Sequence, residues 1–202
     1  MAKIELQNIA HSYDPQAADK TYALYPFNMT WVDGGRYAIL GPSGCGKTTM
    51  LNIMSGIVQP SEGKLLFDGV DVTTLSTSER NIAQVFQFPV IYGTMTVEQN
   101  LAFPLVCRNY ERPAIDAKVQ EVAEALSLQG LLKKSASRLT ADQKQLISLG
   151  RGLVRDDVAA VLMDEPLTVI DPDLKFRLRR QLKEINQKYR STLIYVTHDQ
   201  NE

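Results

Sequence analysis

Residues 41–48 read GPSGCGKT and satisfy the pattern G-x-x-x-x-G-K-[ST]. Glycines at this spacing let the backbone wrap closely around phosphates with its N–H groups turned inward. A lysine at the seventh position reaches the β and γ phosphates, and the hydroxyl after it ligates Mg2+. Gly41, Pro42, Ser43, Gly44, Cys45, Gly46, Lys47, Thr48 and Thr49 therefore form a candidate nucleotide-phosphate site. A glycine-rich turn that only joins strand to helix is the bland alternative. The context opposes it, because the apolar RYAIL stands before the motif and a helical pattern follows.

A second group lies far downstream, where the apolar run VAAVLM ends in Asp164-Glu165-Pro166. A carboxylate at a strand end beside a phosphate loop can hold the Mg2+ of a bound nucleotide, and an adjacent one can deprotonate water. Asp164 is the candidate metal ligand and Glu165 the candidate base. The third group is RLTADQKQLISLGRG, residues 138–152. Thr140 and Gln143 have the spacing of a capping box at a helix start. A helix start also exposes N–H groups that favour anions, so the stretch can serve as half of a phosphate site. Asp142 is at odds with that second use.

The elements that must position these groups alternate in kind. KIELQNIAHSY and TYALYPFNMTWV read as strands, and RYAIL as a short strand running into the phosphate loop. GKLLFDGVDV reads as a hairpin turned at Asp68-Gly69. From about 95 to 155 the pattern is helical: Val119, Val122, Ala123 and Leu126 share one face. Leu146, Ile147, Leu149, Leu153 and Val154 share another. VAAVLM and TLIYVT return to strand around a helix near 173–189 carrying Leu174, Leu178, Leu182 and Ile185. Strands alternating with helices imply an α/β fold with a largely parallel central sheet.

The chain has 202 residues, 44% hydrophobic and 22% charged, with a net charge of -1, which is ordinary for one globular domain with a sizeable core. That balance supplies no general basic surface, and nucleic acid is not an expected partner. Cys45 and Cys107 fit neither a metal cluster nor a disulfide framework, as in a reducing cytoplasm. The start, MAKIELQNIAHSYD, has no apolar signal region, and no apolar run approaches the ~18 residues of a spanning helix. Membrane contact is expected to be peripheral.

With these residues in place, the chain resembles the nucleotide-binding subunit of an ATP-binding cassette transporter, in the branch of carbohydrate and polyol importers. The resemblance runs from Tyr13 through GPSGCGKTT, Gln87 in VFQF, Leu139-Thr140-Ala141-Asp142-Gln143, VLMDEP and Asp171 in TVIDP to His198 in VTHD. It implies a P-loop NTPase core of the RecA-like kind, about 1–90 and 155–202. A helical subdomain spans about 91–154, and an antiparallel β subdomain lies at the N-terminus. ATP and Mg2+ are the implied ligands. Tyr13 would stack on adenine, Gln87 would touch Mg2+ and the attacking water, His198 would contact the γ-phosphate, and Asp171 would lie at the dimer seam. Relatives continue past the position of Glu202, so the resemblance implies that the end of the domain and any regulatory domain lie beyond these residues.

In the resembled family two subunits meet head to tail, each ATP lying between one subunit's P-loop and the other's Leu-Ser-Gly-Gly-Gln signature. Here Thr140 keeps the hydroxyl, but Ala141 and Asp142 replace both glycines. Two unit charges about 4 Å apart repel by roughly 4 kcal/mol at an effective dielectric of 20. A helix start offers an anion only about 0.3–1 kcal/mol. The expectation is an asymmetric heterodimer in which a different ATPase subunit completes this chain's site and LTADQ completes a weaker second one. Thr168-Val169-Ile170 before Asp171 also departs from the family's usual run. Further implied partners are membrane-spanning permease subunits at the cytoplasmic face of the cell membrane and an extracytoplasmic solute-binding protein. The apolar FQFPVIYGTMTVEQNLAFPL either faces the permease or forms core. Two other classes compete, a soluble cassette ATPase of DNA repair or translation and a regulatory nucleotide-binding subunit that seldom hydrolyses. The first is disfavoured by the absence of a heptad run.

Overall fold

The computed structural model describes residues 2–16, 21–168, 170–172, 174–176, 178–180, 182 and 192–198. They form two compact units, one of residues 1–84, 157–164 and 190–202, the other of 85–156 and 165–189. The first unit carries β1 (Ile4–His11), β2 (Leu24–Trp31), β3 (Arg36–Leu40), α1 (Lys47–Ser55), β4 (Glu62–Phe67), β5 (Val70–Asp71), α2 (Thr77–Arg80) and β6 (Ile82–Val85), whose last residue opens the second unit. Then come β7 (Ala160–Asp164) and β8 (Leu193–Thr197). One sheet runs β2-β1-β4-β5 and the other β3-β8-β7-β6. β8 pairs in parallel with both β3 and β7, and β1 pairs antiparallel with β2 and β4. This is the expected α/β arrangement of a P-loop core with an antiparallel N-terminal sheet.

Each element follows from its residues. β7 is buried along its whole length, which is why AVLM reads as a continuous apolar run. α1 buries Met50, Leu51, Ile53 and Met54 in one cluster with Ile4, Leu6, Trp31 and Leu65 of the antiparallel sheet and Leu162, Ile194 and Val196 of the parallel one. At the hairpin, Asp68 and Gly69 both have positive φ, 50° and 80°, as a two-residue I′ turn demands. β1 departs from simple alternation because its pairing shifts register after Leu6 against β2 and after Gln7 against β4. Asn8 sits at φ 48° in that bulge, and Ile9, Ala10 and His11 are buried in succession.

In the second unit the helices are α3 (Val97–Val106), α4 (Arg112–Ala125) and α5 (Ala141–Leu153). Val119, Val122, Ala123 and Leu126 are buried as their spacing predicts, as are Leu146, Ile147, Leu149 and Val154, while Leu153 is half-buried. Gly150 lets α3 and α5 approach, since a Cβ there would lie 2.5 Å from Leu101 Cδ2. Residues 172, 174–176, 178–180 and 182 are helical, with Leu178 and Leu182 buried; Ile185 lies outside the described residues. β6 has no counterpart in the sequence reading. Its four residues, IAQV, are too few and too mixed to display a period.

The C-terminus of α1 is closed by a buried cation. Arg80, 1% exposed, donates to the carbonyls of Ile53 and Met54 in the last turn of α1, to Leu75 O at 3.0 Å and to Thr73 O at 2.6 Å. Burial pushes its pKa down from the ordinary value. The helix ends at Gly56, φ 85°, where a Cβ would lie 2.9 Å from Arg80 Nε. Replacing Arg80 by Met removes these donors and strands buried carbonyls. Urea denaturation of Arg80→Met is expected to show a loss of about 3 kcal/mol, and a loss under about 0.5 kcal/mol would mean that the carbonyls find other donors.

Candidate functional site

The phosphate loop leaves β3 at Leu40 and enters α1 at Lys47. Gly44 and Gly46 have φ of 81° and 92°, which L side chains adopt only under strain. At Gly46 a Cβ would also stand 2.6 Å from Ala23 O. No side chain caps the start of α1, so its first N–H groups remain for a ligand. Lys47 is buried, and its Nζ donates to Gly41 O at 2.7 Å and Pro42 O at 2.8 Å, which sets the ammonium inside the loop. Pro42, Ser43, Gly44 and Cys45 are exposed, and the Cys45 thiol lies 3.8 Å from Lys47 Nζ. Thr49 is buried, and its hydroxyl shares a 3.2 Å hydrogen bond with the Tyr13 hydroxyl. The Tyr13 ring is 67% exposed and meets His11 edge-on at 4.6 Å. An exposed aromatic face is thereby anchored to the helix that begins at the phosphate loop.

Thr48 and Asp164, 116 positions apart, meet at 2.8 Å, the Thr48 hydroxyl donating to the buried carboxylate. Parallel pairing causes the meeting. Leu40 lies beside Thr197, and Asp164 beside Val196, so β3, β8 and β7 end at one edge. Gly41, Asp164 and His198 lie at that edge, where α/β sheets bind ligands. His198 is exposed. Among the described residues there is no group of three or more His, Cys, Asp or Glu placed to cage a metal. A hydroxyl and a carboxylate alone suit Mg2+, which prefers oxygen and takes its remaining ligands from phosphates and water. The donor set fits that ion.

In the second unit Gln87 donates from Nε2 to Glu165 Oε2 at 3.3 Å, and the Thr168 hydroxyl donates to the same oxygen at 3.3 Å. Glu165 has φ 45°, an unusual conformation for a residue with a Cβ and one found where surroundings impose it. At the start of α5, Thr140 accepts from Gln143 N at 3.3 Å, and Gln143 Oε1 accepts from Thr140 N at 3.2 Å. The capping box is complete. Leu139 is buried, Thr140 and Ala141 are exposed, and Asp142 is half-buried in the first turn. Asp171 is exposed, and its carbonyl accepts from Lys175 N at 2.8 Å. Val169 lies outside the described residues.

A family model described as ABC transporter matches residues 24–168. The chain belongs to the ABC transporter family. It is 40% identical over 202 residues to the trehalose import ATP-binding protein SugC of Mycobacterium tuberculosis, covering 100% of this chain and 50% of the relative. It is 37% identical to the sn-glycerol-3-phosphate import ATP-binding protein UgpC of Salmonella typhimurium, covering 100% of this chain and 55% of that protein. The chain thus spans about half the length of these curated relatives. Among solved structures it is similar to the dimeric post-hydrolysis state of the ATP-binding cassette MJ0796 bound to ADP and Pi. There the TM-score is 0.85 and the identity 26%, covering 98% of this chain and 89% of that one.

Three contacts of this ABC chain escape a reading of motifs. Thr168 holds Glu165, and Gln145, fully buried, donates to Phe86 O and Pro166 O. The only sequence signal for Gln145 is a polar residue within the apolar face of α5. For Thr48 and Asp164 the expected outcome is separable from folding. Thr48→Val keeps the shape of the side chain, and titration should show ATP affinity with Mg2+ falling about tenfold while affinity in EDTA stays within about twofold. Equal losses in both conditions would remove Thr48 from the metal.

Proposed function

We propose that this chain is the ATP-binding and hydrolysing subunit of an importer for a sugar or polyol, with glycerol derivatives a candidate. The observation that carries the reading is the Thr48–Asp164 contact, which joins phosphate loop and strand-end carboxylate into one Mg2+-holding pair. The import of trehalose and of sn-glycerol-3-phosphate by relatives supports the solute class.

In this reading the loop N–H groups of residues 44–49 and the Lys47 ammonium bind the β and γ phosphates, and the Tyr13 ring stacks on adenine. Thr48 and Asp164 hold Mg2+, which when bound neutralises charge on the phosphates. Glu165 takes a proton from water as its oxygen attacks the γ-phosphorus and ADP leaves. Gln87 and Thr168 both donate to Glu165, which orients the carboxylate. His198 contacts the γ-phosphate from the end of β8.

A second ATPase subunit completes the site, and the Thr140–Gln143 helix start faces that partner's nucleotide. Asp142 disfavours phosphate there, so the pair is asymmetric, with one strong and one weak site. Among the described residues no helix is long and apolar enough to cross a membrane. The chain docks at the cytoplasmic face on permease subunits, which an extracytoplasmic solute-binding protein feeds. Phe88, Val90 and Tyr92, 68%, 51% and 40% exposed just after Gln87, are the docking surface.

Two measurements test the reading in the intact complex, reconstituted in lipid with its solute-binding protein. Glu165→Gln should lower solute-stimulated ATP turnover by ~100-fold or more with ATP affinity retained, and the equivalent partner substitution should cost far less. Equal losses would abolish the asymmetry. Asp142→Gly should raise total turnover at least about twofold by relieving repulsion at the second site. Unchanged turnover would show that the Asp142 carboxylate points away from the phosphates.

A further inference from the structure

We propose that Gln145 is a positioning residue for hydrolysis, using one side-chain amide to fix the backbones that carry Gln87 and Glu165. The proposal rests on the catalytic reading above. Gln145 lies on α5 and has no solvent exposure. Its Nε2 donates to Phe86 O at 3.1 Å and to Pro166 O at 2.8 Å. An amide has two N–H groups, and both are used. Phe86 directly precedes Gln87, and Pro166 directly follows Glu165. The amide therefore bridges two segments 80 positions apart in the chain at points one residue from each functional group. The side chains of those groups meet at 3.3 Å.

The chemistry of the amide explains why an apolar residue does not occupy this buried position. Two carbonyls point at one place and require donors. Leucine or methionine has none, ionised glutamate has none, and asparagine is one methylene short of the span. Glutamine carries a cost, since its Oε1 is buried with no partner among the described residues. The acceptors are main-chain atoms, so what the amide fixes is backbone separation. That matters at Glu165, which holds a left-handed φ of 45° only while its neighbours impose it. A second contact from α5 fixes the same loop further on, where Ser148 Oγ accepts from Val90 N at 3.3 Å. Loss of the Gln145 bridge leaves that loop attached to α5 but frees its junction with the segment after Glu165.

The test uses the intact transport complex and steady-state ATP turnover. Gln145→Met keeps length and volume and removes both donors. Its kcat should fall by about tenfold or more, because small displacements of catalytic groups are costly, while the KM for ATP stays within about twofold. Combined with Gln87→Ala, Gln145→Met should cause less than about a twofold further loss, since both act on the same pair. Multiplicative losses, a parallel rise in KM, or wild-type kcat in Gln145→Met would each overturn the proposal. Should Gln145→Met not accumulate folded, Gln145→Asn decides on the same readouts, and unfolding of both variants overturns the proposal by making Gln145 a determinant of the fold alone. Turnover that persists in Glu165→Gln refutes the catalytic reading itself. Turnover lost in Glu165→Gln but kept in Gln145→Met refutes only the role of Gln145.

Discussion

Parallel pairing of β8 with β3 on one side and β7 on the other is the constraint from which the first unit's chemistry descends. It places the ends of three strands at one edge, so that a hydroxyl and a carboxylate 116 residues apart meet at 2.8 Å. A buried strand must be apolar on both faces until its last residue, and β7 obeys this until Asp164. The polar residue arrives only where the strand emerges. Chain direction thus does for the carboxylate what no local motif can do, because nothing near Asp164 in sequence mentions Thr48.

Backbone carbonyls and amides carry much of the remaining organisation. Lys47 is held by two carbonyls of its own loop, Arg80 by carbonyls at the end of α1 and nearby, and Gln145 by carbonyls of two separate segments. In each case a side chain with several donors gathers main-chain acceptors, of which Pro42 O and Ile53 O also accept from a backbone N–H. Such contacts fix positions without asking anything of neighbouring side chains. They suit a scaffold whose exposed residues are then open to specialisation, as Ala141 illustrates beside the intact Thr140–Gln143 cap.

Much of this was legible from residues alone, for identifiable reasons. The phosphate loop is local, and its glycines answer to φ values of 81° and 92° that the pattern foretells. The Asp68-Gly69 turn, the buried faces of α4 and α5 and the apolar β7 all follow from periods or turn chemistry within a dozen residues. What was not legible depends on register or on distance. β6 is too short to show a period. The bulge at Asn8 buries Ile9, Ala10 and His11 together, which alternation does not anticipate. Gln145 looks like the second of two glutamines in ADQKQLIS, because its two acceptors come from remote loops.

Arg80 gives α1 an uneven electrostatic character. A short helix in isolation shows opposite poles at its two ends. Here the negative pole is sealed inside the protein against a guanidinium, while the positive pole opens at the glycine loop. An approaching polyanion therefore senses attraction without the counterbalancing repulsion that a bare far end would add.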